Sequence, residues 1–131
     1  MFMPELPCKS RVLLVDDEPD ITTTLTRGLE NHDFVVTAYN DPLDALAEYQ
    51  AKQFDFHVID IRMPGISGFR LTKEILLIDP DARICFLSAF EIRPEESKLL
   101  FRHHTSHCFV KKPITPSTLA AHLQDHLIAV R

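Results

Sequence analysis

Several apolar segments of this chain end in polar side chains that could take part in chemistry. These side chains are Asp16 and Asp17, then Asp60, then Ser88, and finally Lys111 and Lys112. Clustered carboxylates repel each other unless a cation compensates their charge. Oxygen ligands favour Mg²⁺ or Ca²⁺ over Zn²⁺, and a partly hydrated site with few carboxylates suits Mg²⁺. A hydroxyl and an ammonium group beside such a metal could bind the oxygens of a phosphoryl group.

Carboxylates, magnesium, a hydroxyl and a lysine together indicate phosphoryl transfer, because they neutralise the phosphoryl oxygens from several sides. An aspartate can itself be the nucleophile and form an acyl phosphate. Asp60 is the best-placed nucleophile, since Asp16 and Asp17 are needed for the metal. We therefore predict that Asp60, Ser88 and Lys112 carry the chemistry.

The elements that must position these residues follow from the apolar pattern. Segments typical of β-strands lie at Val12–Val15, Phe34–Tyr39, Phe56–Ile61, Ala82–Ser88 and His107–Val110. Helix starts are predicted near Pro19, at Asp41-Pro42, at Ser67, at Pro94 and at Thr115-Pro116, from N-cap and first-turn proline chemistry. This alternation favours a parallel sheet covered on both faces, whose strands all end at one ligand-binding edge. We predict a tail over residues 1–10 and a single α/β domain over residues 11–130.

Composition limits the classes of function. The 131 residues carry a net charge of −5, which argues against a nucleic-acid-binding surface. The N-terminus has no apolar core of signal-peptide length, and no segment approaches the roughly 20 apolar residues that a membrane helix needs. The three cysteines, Cys8, Cys85 and Cys108, show no paired spacing, which favours a reducing compartment over a disulfide scaffold. We therefore expect a cytoplasmic protein, with Cys85 in its core.

Over about residues 10–130 the chain resembles the response-regulator receiver domains of two-component signalling (the CheY-like family). The resemblance rests on an ordered set of motifs: Val15-Asp16-Asp17-Glu18, Asp60 with Met63-Pro64 and Gly68, Ser88-Ala89, and Lys112-Pro113. It implies a flavodoxin-like (βα)5 three-layer sandwich, with a parallel five-stranded sheet of order 2-1-3-4-5.

The resemblance also implies roles around the acids. Asp60 would accept a phosphoryl group from a phosphohistidine of a sensor histidine kinase or a phosphotransfer protein. Mg²⁺ would be held by Asp60, directly by Asp17, through water by Asp16, and by the main-chain carbonyl of Arg62. The domain would catalyse its own phosphotransfer and slow dephosphorylation without being a turnover enzyme.

Further roles are implied at the ends of the last two strands. Ser88 would contact the phosphoryl oxygens. Lys112, which precedes a proline as in the family, would pair with the phosphate. The Lys112–Pro113 peptide bond would be cis. Phe109 occupies the position of the aromatic switch. Phosphorylation would bias the face formed by the fourth helix, fifth strand and fifth helix. A downstream protein effector or an output domain outside this chain would read that face, and homodimerisation through it stays open.

The sequence departs from the family at the switch aromatic, which is Phe109 rather than tyrosine, and in the turn before the fifth strand. Thr105-Ser106, within HHTSHC, stands where receivers usually carry a Gly-Ala-type pair. Arg62 and Phe90 lie two residues after Asp60 and Ser88, beside the expected path of a hydrolytic water. We expect them to slow hydrolysis of the acyl phosphate, so that Arg62→Ala and Phe90→Ala should change the dephosphorylation rate.

Other functions remain open at this point. The main alternative is a receiver-like interaction module that is never phosphorylated. An aspartate-nucleophile phosphatase is disfavoured, since Ile61 and Arg62 follow Asp60 where such enzymes carry an acid two residues on. A flavin carrier is disfavoured by the acids. A zinc site formed by His103 with His107, or by His104 with Cys108, is also disfavoured, because Cys108 falls inside the next strand.

Overall fold

The computed structural model describes residues 9–89 and 107–129. Some predictions therefore lie outside the described residues. They are those for the tail before Lys9, for Phe90, for the helix opening at Pro94, and for the HHTSHC segment up to Ser106.

The strands form one parallel sheet. They are β1 (Ser10–Val15), β2 (Phe34–Tyr39), β3 (Phe56–Asp60), β4 (Ile84–Ser88) and β5 (His107–Lys111). Their order across the sheet is β2-β1-β3-β4-β5, and each neighbouring pair is parallel. The predicted fold class and strand order are confirmed.

The helices begin where the capping signals predicted. The described helices are α1 (Pro19–Glu30), α2 (Pro42–Glu48), α3 (Gly68–Ile78) and α5 (Pro116–Ala129), and α4 denotes the predicted helix that opens at Pro94. The side chain of Asp41 accepts a hydrogen bond from the backbone N–H of Leu43, and Ser67 Oγ accepts one from Arg70. Each bond satisfies a backbone donor that the first helical turn leaves unpaired. None of the described helices is long and apolar enough to cross a membrane.

Alternate residues of each strand face opposite sides of the sheet and build two apolar layers. Val12, Leu14, Val58 and Leu87 face the side covered by α1 and α5. On the other side, covered by α2 and α3, lie Leu13, Val15, Ile59, Ile84 and Phe86. With both faces buried, the strands' carboxyl ends are left as the exposed edge on which polar chemistry can be placed.

A buried histidine lies near the start of β3, away from that edge. His57 is 0% exposed. Its Nδ1–H donates to the carbonyl of Arg83 at 2.9 Å, and its Nε2 accepts from the hydroxyl of Tyr49 at 2.8 Å. The Tyr49 oxygen is also 3.4 Å from Asp79 Oδ2. His57 is therefore a hydrogen-bonded core residue.

Burial lowers the pKa of His57 below its usual 6.5, although the Arg83 carbonyl and the charges of Asp79 and Asp55 act in the opposite direction. The folded state thus prefers neutral His57, and this contribution to stability is complete above pH 6.5 and is lost as the pH falls toward the lowered value. We expect wild-type stability to fall below pH 6.5 more steeply than that of His57→Gln, by up to about 1.4 kcal/mol per pH unit. Urea unfolding between pH 5 and pH 8 measures the difference.

His122→Gln is the matched control, because His122 lies exposed on α5. Its pH profile should follow that of the wild type. Parallel profiles for the wild type and His57→Gln would show that burial of His57 has no such cost.

Two cysteines form a contact that the sequence analysis did not predict. Cys85 on β4 and Cys108 on β5 are register partners, and a disulfide joins them across a Cα–Cα distance of 4.5 Å. The expectation that these cysteines are unpaired is wrong. The spacing of 23 residues carries no pairing signal, because register between neighbouring strands decides which side chains meet.

Candidate functional site

The first two acids of the site lie at the end of β1, held by backbone bonds. The backbone N–H of Asp16 donates to the carbonyl of Tyr39 at 3.1 Å, which extends the β1–β2 ladder by one residue. Asp16 Oδ1 accepts from the backbone N–H of Glu18 at 3.0 Å, just before α1 begins. Asp16 is fully buried, whereas Asp17 is half-buried. The turn between β1 and α1 thus fixes one carboxylate inside the protein and leaves its neighbour nearer the surface.

Asn40 positions this turn and was not among the predicted site residues. Its Nδ2 donates to the carbonyl of Asp16 at 2.8 Å and to Thr22 Oγ1 at 2.9 Å. Asn40 therefore ties the end of β1 to the first turn of α1. The sequence feature that identified the acids also applies to Asn40, which is a polar residue directly after an apolar strand.

Asp60 ends β3 at the same edge and is 5% exposed. The next residue, Ile61, donates its backbone N–H to the carbonyl of Leu87 at 3.1 Å, so the chain still follows β4 there. The loop then returns, and the N–H of Gly68 donates to the carbonyl of Ile61 at 2.7 Å. A Cβ on Gly68 would lie 2.2 Å from the carbonyl oxygen of Asp60. The start of α3 therefore packs directly on the backbone that carries Asp60.

We expect Gly68→Ala to destabilise the domain by about 2–3 kcal/mol, because the added methyl meets backbone that cannot rotate away. Gly65→Ala in the same loop is the matched control. Gly65 has nothing within 4 Å of a Cβ but has a φ of +88°, so that substitution costs backbone strain without a clash. That strain is about 1–2 kcal/mol. Urea unfolding of both variants separates the two effects, and a loss in Gly68→Ala no larger than in Gly65→Ala would contradict the packing argument.

Lys112 brings a cation from the end of β5 into the acids. Its backbone N–H donates to the carbonyl of Ser88 at 2.7 Å, and the Lys112–Pro113 bond is cis, as expected. The ammonium Nζ is 2.7 Å from Asp16 Oδ2, 3.4 Å from Asp60 Oδ1 and 3.9 Å from Glu18 Oε1. With 13% of its side chain exposed, Lys112 pairs with these acids in a largely dry environment.

The proximity of these groups changes their proton affinities. Burial raises the pKa of Asp60 to about 6, with help from the Asp16 charge and against the opposing effect of Lys112. The nearby carboxyl group of Asp17 raises this pKa further. Burial alone would lower the pKa of Lys112, but its contacts with Asp16, Asp60 and Glu18 outweigh burial and raise it. At neutral pH the edge therefore holds a mostly ionised Asp60 against a firmly charged Lys112.

The donor set fits a hard divalent cation. Asp16, Asp17 and Glu18 each offer a carboxylate oxygen, and these oxygens lie within 4.8 Å of one another. Asp60 lies beside this group, because Lys112 Nζ contacts both Asp16 and Asp60 and the charges of these two acids interact. Carboxylate oxygens at this density and of partial exposure suit Mg²⁺, which keeps several waters. Glu18, an exposed acid, was not among the predicted ligands.

The other predicted site residues are placed as follows. Ser88 is buried at the end of β4, adjacent to Lys112 through the backbone bond. The side chain of Arg62 is exposed, and its carbonyl stays a predicted ligand. Phe109 is 39% exposed and stacks on Phe86, with ring centroids 5.2 Å apart. One edge of the sheet therefore holds the acids, Ser88 and Lys112. Phe109 lies within β5 and packs on Phe86, in the apolar layer covered by α2 and α3.

Comparison with known proteins gives a consistent result. Residues 12–124 match the family model described as the response regulator receiver domain. The chain is 31% identical over 124 residues to the transcriptional regulatory protein CreB of Escherichia coli strain K12, which covers 94% of this chain and 53% of CreB. The chain thus spans about half the length of the curated relatives it matches.

Solved structures agree at the level of the whole fold. The non-phosphorylated HemR receiver domain from Leptospira biflexa matches with a TM-score of 0.80 and 28% identity, over 91% of this chain and 94% of that one. The response regulator TrrA from Thermotoga maritima, in complex with Mg²⁺-BeF, matches with a TM-score of 0.73 and 28% identity, over 89% of this chain and 98% of that one.

Proposed function

Because the chain belongs to the response regulator receiver domain family of two-component systems, we propose that it is a Mg²⁺-dependent phosphorylation switch in which Asp60 accepts the phosphoryl group. One observation carries this proposal: Asp60 ends its strand beside Asp16, Asp17 and Lys112, at the edge where all the strands end. A buried carboxylate held between two acids and an ammonium is costly unless the site uses it.

The proposed metal ligands are Asp16, Asp17, Asp60 and the carbonyl of Arg62. Support comes from the oxygen-only donor set and from TrrA, a relative whose structure holds Mg²⁺-BeF. When bound, Mg²⁺ would neutralise the carboxylates and the phosphoryl oxygens together.

The chain's own residues would carry out the phosphoryl transfer. An ionised Asp60 oxygen attacks the phosphorus of a phosphohistidine on a histidine kinase or phosphotransfer protein. The P–N bond breaks and its electron pair stays on the leaving imidazole. Lys112, which lies 3.4 Å from Asp60 Oδ1, would pair with a phosphoryl oxygen, and the Ser88 hydroxyl would donate to another. The product is an acyl phosphate that water later hydrolyses, so the domain is a switch and not a turnover enzyme.

The change of state would be read at β5. We propose that Ser88 moves toward the phosphoryl group and that Phe109, now 39% exposed on Phe86, turns inward. The α4–β5–α5 face then differs between two pre-existing arrangements, whose balance phosphorylation shifts. A protein effector or an output domain beyond this chain would read that face, in a cytoplasmic setting and without direct nucleic-acid contact by this domain.

The test uses a small phosphodonor such as acetyl phosphate with the whole chain. Intact mass spectrometry should show the gain of one phosphoryl group when Mg²⁺ is present. Labelling should disappear when a chelator removes the metal. Hydroxylamine should release the group, as expected for an acyl phosphate. A chain that stays unlabelled with Mg²⁺, and also with a panel of phosphorylated histidine kinases, would instead be a receiver-like interaction module.

A further inference from the structure

We propose that Cys85 and Cys108 are a reversible redox pair whose disulfide fastens β5 to β4. The two residues are direct register partners, with their Cα atoms 4.5 Å apart. This distance lies within the range that a disulfide requires without movement of the backbone. The bond is therefore made between positions that the sheet itself holds together.

The position of the bond within the sheet gives it a mechanical effect. In the described sheet β5 is the last strand, and β4 is its one neighbour. An edge strand is held by one ladder of backbone bonds, so a covalent link to its neighbour removes much of its freedom to open. Phe109 follows Cys108 directly on β5, and Lys112 is the first residue after this strand. The disulfide thus restrains the strand that delivers both side chains.

The surroundings of the two sulfur atoms differ, which sets where reduction begins. Cys85 is 3% exposed, inside the layer covered by α1 and α5. Cys108 is half-buried at the margin of the same layer. An incoming thiolate can reach Cys108 Sγ more readily than Cys85 Sγ, because exchange requires access to the attacked sulfur.

The reaction is an ordinary thiol–disulfide exchange with a dithiol reductant. One reductant thiolate attacks Cys108 Sγ, the Cys85–Cys108 bond breaks, and Cys85 leaves as a thiolate that takes up a proton. The second reductant thiolate then attacks the reductant sulfur that is bonded to Cys108. Cys108 leaves as a thiolate and takes up a proton. The protein gains two electrons and two protons, and the dithiol becomes a disulfide. In a reducing compartment such a bond is transient and reports oxidation.

The first experiment counts free thiols on the folded chain. The protein is equilibrated in mixtures of reduced and oxidised dithiothreitol and alkylated with a maleimide. Its intact mass, measured by mass spectrometry, gives the number of alkylated cysteines. We expect alkylation of two cysteines to appear and disappear reversibly with the ratio of the mixture. Cys8→Ser, the matched control, should behave the same way, whereas Cys108→Ser should lose the transition. Alkylation of both Cys85 and Cys108 at every ratio, or a bond that survives full reduction of the folded protein, would overturn the proposal.

The second experiment asks whether the bond restrains β5. Amide hydrogen exchange of residues 107–111 should be at least about tenfold slower in the oxidised wild-type chain than in the reduced one. Exchange in β2, at the opposite edge of the sheet, should be the same in both states. Equal exchange of β5 in the two states would remove the mechanical effect. Neither measurement needs phosphorylation, so their outcome is independent of whether Asp60 is labelled.

Discussion

Asp60→Asn should remove Mg²⁺-dependent labelling by acetyl phosphate, with a rate loss of at least about a thousandfold, because an amide oxygen is not a nucleophile for phosphorus. The substitution is close to isosteric and keeps the contacts of the strand end. It should also leave the fold intact, since it removes one of the clustered negative charges. Intact mass after a timed reaction gives the labelled fraction, and urea unfolding of the same sample verifies the fold.

Asp44→Asn is the matched control for this variant. Asp44 is an exposed acid on α2, so its replacement removes a surface carboxylate that could be phosphorylated without changing the acids at the sheet edge. Asp44→Asn should label at the wild-type rate. If Asp60→Asn labels as fast as the wild type, Asp60 has no role as acceptor, and the cluster at this edge must serve a different purpose.

The second large effect concerns stability. We expect Lys112→Ala to lower the free energy of unfolding at pH 7 in metal-free buffer by about 3 kcal/mol, because it leaves buried acids without their cation. Lys112 Nζ is 2.7 Å from Asp16 Oδ2, and Asp16 is 0% exposed. The deficit should shrink as the pH falls toward 5, since Asp60, with a pKa raised to about 6, becomes protonated and no longer needs the ammonium. Urea unfolding at several pH values measures both the size of the loss and its pH dependence.

Lys111→Ala provides the comparison. Lys111 is the preceding residue and is exposed on β5, so the change removes an equal charge without opening the acid cluster. Its effect should stay within about 0.5 kcal/mol. Equal losses in the two variants would mean that the contacts of Lys112 with Asp16 and Asp60 add nothing to stability.

The sequence predicted the parts of this molecule that depend on local chemistry. Strand order follows from the alternation of apolar segments together with the family resemblance, and Asp41 and Ser67 cap their helices because their side chains satisfy nearby backbone donors. The convergence of Asp16, Asp60 and Lys112 could also be predicted. All three follow apolar strands, and parallel strands end at one edge.

What could not be predicted depends on contacts between residues distant in the chain. The Cys85–Cys108 bond requires the register of β5 against β4, which no spacing encodes. The bonds from Asn40 to the carbonyl of Asp16 and to Thr22 depend on how closely β2 and α1 approach the end of β1. The pairing of Lys112 with Asp16, at a shorter distance than with Asp60, reflects side-chain packing after the backbone is placed.

The buried histidine of β3 has a consequence for Asp60, the proposed acceptor, three residues away. His57 and Asp60 are separated by roughly 10 Å along the strand. A positive charge on His57 would act on Asp60 with about 1.7 kcal/mol at an effective dielectric constant of 20, which exceeds a tenfold change in proton affinity. Burial keeps His57 neutral at neutral pH. No positive charge on His57 therefore lowers the proton affinity of Asp60 at neutral pH. Moderate acidification leaves His57 neutral, so it does not change the pKa of Asp60 through this histidine.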